Sequence, residues 1–124
     1  MDTRAKILGP DGLEAVRRQG RRLKVVTGYF DPLLASHARR LANLRGEGET
    51  LVVVVRDLER ALLPLGARAE LVAALAAVDW VVVAADPEPV IAALAPDELV
   101  REETADLERR EALIRLVRSR YGVG

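Results

Sequence analysis

Residues 25–41 read Val-Val-Thr-Gly-Tyr-Phe-Asp-Pro-Leu-Leu-Ala-Ser-His-Ala-Arg-Arg-Leu. An apolar run reaches Gly28, passes through a turn that contains Asp31 and Pro32, and enters an amphipathic pattern that starts with Ser36 and His37. This order predicts a buried strand, a loop and the start of a helix.

The predicted junction is a candidate anion site. The first N–H groups of a helix have no partner within it, and the aligned peptide dipoles leave partial positive charge there. Ser36 could cap the helix, His37 could donate a hydrogen bond or carry charge near neutral pH, and Gly28 would let a ligand approach the backbone. Each residue alone is explained as a turn glycine, an N-cap or an exposed side chain. Their placement on one strand-to-helix turn indicates a phosphate site.

Length and composition limit the classes of function. The 124 residues predict one domain, residues 1–124, with a core of Ala, Val and Leu, because half of the chain is hydrophobic and only 3% is aromatic. The net charge is formally zero, so neither nucleic acid nor an anionic membrane is an expected partner. Cysteine is absent and histidine occurs once, so no disulfide and no metal site are predicted.

The chain shows no targeting or membrane-spanning pattern. Asp2, Arg4 and Lys6 do not give the charged-then-apolar profile of a signal peptide. The longest nearly apolar tract, residues 71–85, is interrupted by Asp79 and is short for a membrane span. The sequence therefore predicts a soluble, cytoplasmic protein.

Apolar runs alternate with helical patterns along the chain. The runs predict strands at Leu23–Thr27, Thr50–Val55, Trp80–Ala84 and Glu98–Val100. The patterns predict helices from an Asp11–Glu14 capping box to Gly20, at Ser36–Arg45, at Ala67–Ala77, from Asp86 to Leu94 and at Thr104–Tyr121. The fold class expected is α/β: a doubly wound parallel sheet with helices on both faces and a long C-terminal helix. In such sheets ligands bind beyond the carboxyl ends of the strands, where the loop from Thr27 to His37 is expected.

The long C-terminal helix carries more apolar surface than one contact with the sheet needs. Leu107, Ile114, Val117 and Tyr121 form one stripe, and Leu113 and Leu116 lie on a neighbouring line. This excess predicts a homodimer.

Residues 25–41 resemble the opening of the cytidylyltransferase-like nucleotidylyltransferases, which begin with a strand, Gly-x-Phe-Asp and a His-x-Gly-His motif at a helix start. The likeness is strongest to heptose-phosphate adenylyltransferase domains and glycerol-3-phosphate cytidylyltransferases, and it extends to about Val100. The resemblance implies a Rossmann-like fold and transfer of a nucleoside monophosphate onto a sugar or polyol phosphate, with release of pyrophosphate.

The resemblance also implies roles for particular residues. His37 and Arg101 match catalytic positions that stabilise charge on the phosphates. Nucleotide-binding positions correspond to Gly28, Tyr29, Phe30, Asp31 and Ser36. The residues themselves identify no cofactor; the resemblance implies CTP or ATP with magnesium, and a nucleotide or phosphate-bearing small molecule as the partner.

The chain departs from the family at several of these positions. Leu34 replaces the first motif histidine, Ser36 replaces the motif glycine, and Arg101 replaces the family's lysine. Glu102 and Glu103 follow where a Gly-rich turn is expected, and the later Ser/Thr-rich helix start has no counterpart. Because removal of one preorganised donor typically costs about 2.7–4 kcal/mol of transition-state stabilisation, these departures predict a degraded active site.

Three functions remain open at this point. The first is a non-catalytic or very weakly active nucleotide- or phosphate-binding module. The second is an active nucleotidylyltransferase with an altered site. The third is a structural or interaction scaffold that dimerises.

Overall fold

A computed structural model describes residues 2–9 and 11–121. Within these residues the strands are β1 (Arg22–Gly28), β2 (Glu49–Arg56), β3 (Trp80–Ala84) and β4 (Glu98–Arg101). The α-helices are α1 (Gly12–Arg18), α2 (Ala35–Leu44), α3 (Leu65–Ala73), α4 (Glu88–Leu94) and α5 (Glu103–Tyr121), and a short 3₁₀ helix precedes them at Thr3–Lys6.

The four strands form one parallel sheet in the order β3-β2-β1-β4. Alternate side chains of the strands point to opposite faces, so each face has its own apolar layer. One layer contains Val26, Val53 and residues of α2 and α3; the other contains Val25, Val52 and residues of α1 and α4. The fold is therefore Rossmann-like α/β with helices on both faces and a long C-terminal helix, as predicted.

The predicted ends of α3, Ala67 and Ala77, were wrong, because the helix begins at Leu65 and ends four residues early. Helix α3 ends at Ala73 rather than Ala77, and the carbonyls of Leu75 and Val78 in the turn after it accept hydrogen bonds from the Lys6 ammonium at 3.1 and 2.9 Å. Lys6 is distant in sequence, so helix propensity alone could not locate this end.

Two predicted caps were also wrong. Asp11 precedes α1 but makes no side-chain capping bond, so the Asp11–Glu14 capping box does not form. Helix α2 begins at Ala35, and Leu34 rather than Ser36 is its N-cap. By contrast, Gly20 has a φ of +67°, a left-handed conformation that favours glycine after a helix, as its predicted stop position requires.

A buried ion cluster lies at the amino ends of the strands. The Lys24 ammonium is 3.1 Å from Glu49 and 3.2 Å from Glu98, and it also donates to the carbonyl of Leu44. Burial would lower the pKa of Lys24, but the two carboxylates outweigh burial and raise it. Burial likewise opposes ionisation of Glu49, yet the Gly46 N–H and Lys24 lower the pKa of Glu49 overall.

Helix α5 contacts β1 near its own start, and the rest of the helix is largely exposed. Of the apolar stripe predicted on it, Leu107, Val117 and Tyr121 are exposed and Ile114 is partly buried. None of the helices within residues 2–9 and 11–121 has the length and apolar character needed to cross a membrane. A cytoplasmic location remains a prediction.

Candidate functional site

The loop after β1 and the first turn of α2 form the junction expected from the sequence. Leu34 precedes α2, and its carbonyl accepts the N–H groups of His37 and Ala38 at 3.0 and 3.2 Å. The backbone N–H of Leu34 donates to His37 Nδ1 at 2.9 Å. The His37 side chain thus accepts the backbone N–H of the N-cap residue Leu34, as the third helical residue of a capping box does.

This contact determines which ring nitrogen of His37 carries the proton. A backbone N–H can only donate, so Nδ1 must be the unprotonated acceptor and the proton of the neutral imidazole lies on Nε2. Nε2 therefore donates to Asp106 Oδ1 of α5 at 2.8 Å, and both side chains are buried. The ring also contacts Phe30, with ring centroids 5.4 Å apart. His37 is not an exposed side chain, contrary to one of the two interpretations drawn from the sequence.

The carboxylate of Asp106 is the centre of the site. Its Oδ2 accepts the N–H groups of Tyr29 at 2.7 Å and Phe30 at 3.3 Å, and its Oδ1 is 3.0 Å from Arg109. Backbone N–H groups, an imidazole and a guanidinium are the donors that a phosphate would use. A carboxylate of the chain's own α5 therefore lies where the sequence predicts a bound anion.

Gly28 makes this approach possible. A side-chain Cβ at residue 28 would contact Asp106 Oδ2 at less than van der Waals distance and would lie 2.9 Å from the Phe30 ring. The close approach that the sequence assigns to a ligand is thus made by Asp106.

Two further acidic residues lie near Asp106: Glu103, the first residue of α5, and Glu102, which precedes it. Glu103 accepts the Thr27 hydroxyl at 2.7 Å and the Arg56 guanidinium at 3.1 Å. Glu102, which is buried, accepts Arg40 Nε at 2.6 Å, and its backbone N–H donates to the Thr27 carbonyl at 2.8 Å. The acidic residues that replace the expected Gly-rich turn are therefore each paired with a donor: Glu103 with Thr27 of β1 and Arg56 of β2, and Glu102 with Arg40 of α2.

The structure brings together only part of the predicted site. Gly28, Tyr29, Phe30 and His37 surround Asp106, as described above. Asp31 instead accepts the N–H groups of Leu62 and Leu63 at 2.7 and 2.8 Å, so it holds the segment between β2 and α3.

The remaining two predicted residues also have other surroundings. Ser36 is the second residue of α2 rather than its cap. Arg101 ends β4 and is 2.7 Å from Glu88, whose carboxylate raises the pKa of the Arg101 guanidinium.

Sequence reasoning missed the residues that complete the site. Asp106 lies 69 residues after its partner His37, so only the tertiary fold brings the two together. Arg68 is fully buried and donates to the carbonyls of Tyr29, Arg56 and Leu63 at 2.8–3.1 Å, which ties the loop after β1 to the end of β2. The acidic residues at the start of the last helix were the one available signal, because carboxylates suit helix N-termini.

The described part of the chain, residues 2–9 and 11–121, contains no cluster of three His, Asp or Glu side chains placed to hold a metal ion. The site is thus a set of hydrogen-bond donors that would suit an anion, and carboxylates of the chain itself accept their hydrogen bonds. The site lies at the carboxyl ends of the strands of a Rossmann-like sheet, the edge at which proteins of this architecture bind their ligands.

No protein-family model matches the chain. The chain is, however, 37% identical over 100 residues to the bifunctional protein HldE of Shewanella piezotolerans and 40% identical over 106 residues to HldE of Halorhodospira halophila. HldE of Alkalilimnicola ehrlichii is 36% identical over 112 residues. These matches cover 72%, 74% and 79% of this chain, but the chain spans only about a fifth to a quarter of the length of these curated relatives.

The chain is therefore a homologue of part of the HldE proteins. This relationship confirms the resemblance to the cytidylyltransferase-like nucleotidylyltransferase superfamily, and the chain is a nucleotidylyltransferase-like module.

Proposed function

We propose that this chain is a non-catalytic nucleotidylyltransferase-like module whose phosphate position is closed by the first turn of its own α5. The observation that carries the proposal is the Asp106 carboxylate, which accepts hydrogen bonds from Tyr29 N–H, Phe30 N–H and His37 Nε2. An incoming phosphate would need the same donors, and it would meet the negative charge of Asp106 at close range.

The side chains assigned to catalysis are engaged in other contacts. Both ring nitrogens of His37 are hydrogen-bonded within the chain, and the side chain of Leu34 has no polar atom to replace the family's first histidine. Arg101 is paired with Glu88. Charge stabilisation of a phosphoryl transition state needs donors that are free and preorganised, so this arrangement supports loss of catalysis.

Nucleotide binding without catalysis is the second candidate, and the same donors favour it. Once Asp106 leaves, two backbone N–H groups and His37 at the N-terminus of α2 form an anion site. Binding of CTP or ATP therefore requires the first turn of α5 to move away from β1. In the closed arrangement Glu102, Glu103 and Asp106 accept hydrogen bonds from arginine, hydroxyl or N–H groups, so these carboxylates are engaged within the chain and do not present a magnesium site. A single domain over residues 1–124 is part of the proposal.

Measurement of pyrophosphate tests the loss of catalysis. The chain is incubated with ATP or CTP, magnesium, and a sugar phosphate or glycerol phosphate. We expect no pyrophosphate above the background without protein. Accumulation of pyrophosphate in proportion to protein would contradict the proposal and establish the active enzyme.

The single histidine tests occupation of the site. His37 gives the only imidazole resonances, and we expect millimolar ATP, CTP or inorganic phosphate to leave them unmoved in the wild type. In Asp106→Ala the Tyr29, Phe30 and His37 donors are free to bind the anion, and the His37 resonances should move with added phosphate. Glu108→Ala is the matched control, because Glu108 lies exposed on the same helix. Movement in the wild type would favour the binding module, whereas no movement in Asp106→Ala would reject the anion site altogether.

A further inference from the structure

A cavity lies at the amino edge of the sheet, opposite to the edge that holds Asp106. It has a volume of about 470 Å³ and lies between the 3₁₀ helix, the residues after α1, the turn after α3 and the first residues of β2 and β3. Small-molecule sites usually have volumes of about 300–1,000 Å³. Strand β1 is seven residues long, so about 20 Å of sheet separates the two edges. The cavity is therefore distinct from the site around Asp106.

Trp80 supplies a flat apolar wall of the cavity. It is the first residue of β3 and the only tryptophan of the chain. The residue packs against the apolar layer that includes α1 and α4, and it also lines the cavity. Ala76 and Val78, from the turn after α3, add apolar surface beside it. Aromatic rings favour contact with other aromatic rings, so this wall suits the planar ring of a ligand.

Lys6 places a positive charge beside the same wall. Its ammonium donates to the carbonyls of Leu75 and Val78 at 3.1 and 2.9 Å, which uses two of its three N–H groups. Lys6 is partly buried and lines the cavity. Within residues 2–9 and 11–121 its contacts are to neutral carbonyls and not to a carboxylate. One N–H group and the full charge therefore remain for an anion.

Arg21 adds a second cation on the exposed side of the cavity. It follows α1 and lines the cavity, and it forms no ion pair in the part of the chain that the structure describes. Its neighbour Arg22, by contrast, is 3.4 Å from Glu49. A guanidinium can bind a carboxylate through two parallel N–H···O bonds. Arg21 is therefore suited to hold the acidic group of a ligand.

Asp79 is the acidic residue that lines the cavity. One of its oxygens accepts the N–H of Leu51 at 2.8 Å, and the other is 3.1 Å from Arg45. Because Arg45 compensates this carboxylate, Lys6 and Arg21 leave the cavity with an excess of positive charge. Asp79 would still repel a dianion more strongly than a monoanion, since the Coulomb energy scales with the product of the charges. The cavity therefore suits a ligand with a single negative charge.

We propose that this cavity binds a small planar aromatic carboxylate, with the ring against Trp80 and the carboxylate at Arg21 and Lys6. The apolar wall supplies contact area, and the two cations fix the orientation of the ligand, as in most small-molecule sites. None of the described residues that line the cavity belongs to α2 or α5. The proposal therefore does not depend on whether the module is catalytic or binds nucleotide.

The single tryptophan gives the cavity its own reporter. Trp80 contributes the only indole N–H resonance to a proton–nitrogen correlation spectrum. We expect naphthoate to move this resonance to saturation, with a dissociation constant of about 1 mM or tighter. Naphthamide has the ring without the charge, and cyclohexanecarboxylate has the charge without the aromatic ring. Each should bind at least about tenfold more weakly, because each lacks one of the two contacts.

Three outcomes of this titration would overturn the proposal. The first is no saturable movement of the Trp80 resonance with naphthoate. The second is binding of naphthamide as tightly as naphthoate, which would mean that the cations play no part. The third is equal movement of the His37 imidazole resonances, which would place the ligand at the carboxyl edge of the sheet. Tighter binding of naphthyl phosphate than of naphthoate would contradict the preference for a single charge.

Two exposed residues of the cavity allow substitutions that keep the reporter. Arg21→Gln should raise the naphthoate dissociation constant by about tenfold or more, because charge-assisted hydrogen bonds are lost. Arg39→Gln, which changes an exposed arginine of α2, should leave it unchanged. Ala76→Phe should fill the cavity and abolish binding, whereas Ala74→Phe, at an exposed position that does not line the cavity, should not. Wild-type affinity in either Arg21→Gln or Ala76→Phe would overturn the proposal.

Discussion

Gly28 is the residue on which the approach of α5 to β1 depends. A Cβ at this position would press against the Asp106 carboxylate and lie 2.9 Å from the Phe30 ring. We expect Gly28→Ala to lower the free energy of unfolding by about 1–3 kcal/mol, the usual cost of overpacking a filled core. Urea unfolding followed by circular dichroism measures this change.

A double-mutant cycle separates the two contacts of that Cβ. In an Asp106→Ala background the carboxylate is gone, and Gly28→Ala should cost less by about 0.5–3 kcal/mol, the range for residues in direct contact. Phe30 remains, so part of the cost should persist. If the stability costs of the two substitutions simply add, the Asp106 carboxylate does not restrict the size of the side chain at residue 28.

The buried ion pair of Lys24 with Glu49 should contribute more to stability than the contact of Lys24 with the exposed Glu98. Their side chains are 9% and 4% exposed, whereas Glu98 is 47% exposed and partly solvated. Lys24→Met leaves Glu49 buried without its main cation and should cost about 3–5 kcal/mol of stability. Lys24→Met with Glu49→Gln removes both charges and should cost markedly less. Glu98→Gln, the control, should change stability by no more than about 1 kcal/mol, and urea unfolding of all three variants measures these costs.

At the scale of elements, Asp31 organises the irregular segment between β2 and α3. Its carboxylate accepts the N–H groups of Leu62 and Leu63 and is 3.3 Å from Arg110 of α5. We expect Asp31→Ala to speed hydrogen exchange at these two amides by about tenfold or more, because a buried acceptor worth about 1–3 kcal/mol is lost. Exchange in β1 and β2 should change much less.

Asp57→Ala is the matched control for this segment. Asp57 also accepts a backbone N–H, that of Leu58 at 2.9 Å, but it lies exposed at the surface. Its removal should leave the exchange of Leu62 and Leu63 unchanged. Equal acceleration in both variants would mean that the segment opens as a unit and that Asp31 has no special role.

The elements differ in how far the sequence determines them. Trp80–Ala84 was predicted with the bounds it has, because a run of valines between turn residues suits a strand that is covered on at least one face. The end of α3 was not predictable, since Lys6 binds the carbonyls that follow it. Local pattern decides the first case and a distant side chain decides the second.

The candidate site shows the same division. Gly28, Tyr29, Phe30 and His37 lie on one strand-to-helix turn, so their proximity follows from the local fold. The closure of that turn depends on Asp106, which is separated from it by three strands and three helices along the chain. Acidic residues suit the positive N-terminal end of a helix, but they do not say which strand-to-helix turn they will contact.

At the scale of the whole molecule, the carboxyl and amino edges of the sheet each hold buried charge. Asp106 and Glu102 lie at the carboxyl edge, and Lys24 and Glu49 lie near the amino edge, with α1 to α4 covering the faces between them. Buried ionised groups make stability depend on pH when their pKa values differ between the folded and unfolded states. Among these buried groups, Lys24 and Glu49 at the amino edge have pKa shifts of known direction.

The last prediction concerns the pH range of stability. The folded pKa of Glu49 is lowered from 4.5, so its contribution is present above 4.5 and is lost as the pH falls through the folded value. The folded pKa of Lys24 is raised from 10.5, so its contribution is complete below 10.5 and is lost as the pH rises through the folded value. We expect Lys24→Met with Glu49→Gln to flatten both limbs of the urea-unfolding profile against pH, relative to the wild type. Arg18→Gln, which removes an exposed ion pair with Glu14, should leave both limbs as they are. A double variant that retains the wild-type slope below 4.5 would show that other carboxylates cause acid unfolding and that the buried pair does not set its range.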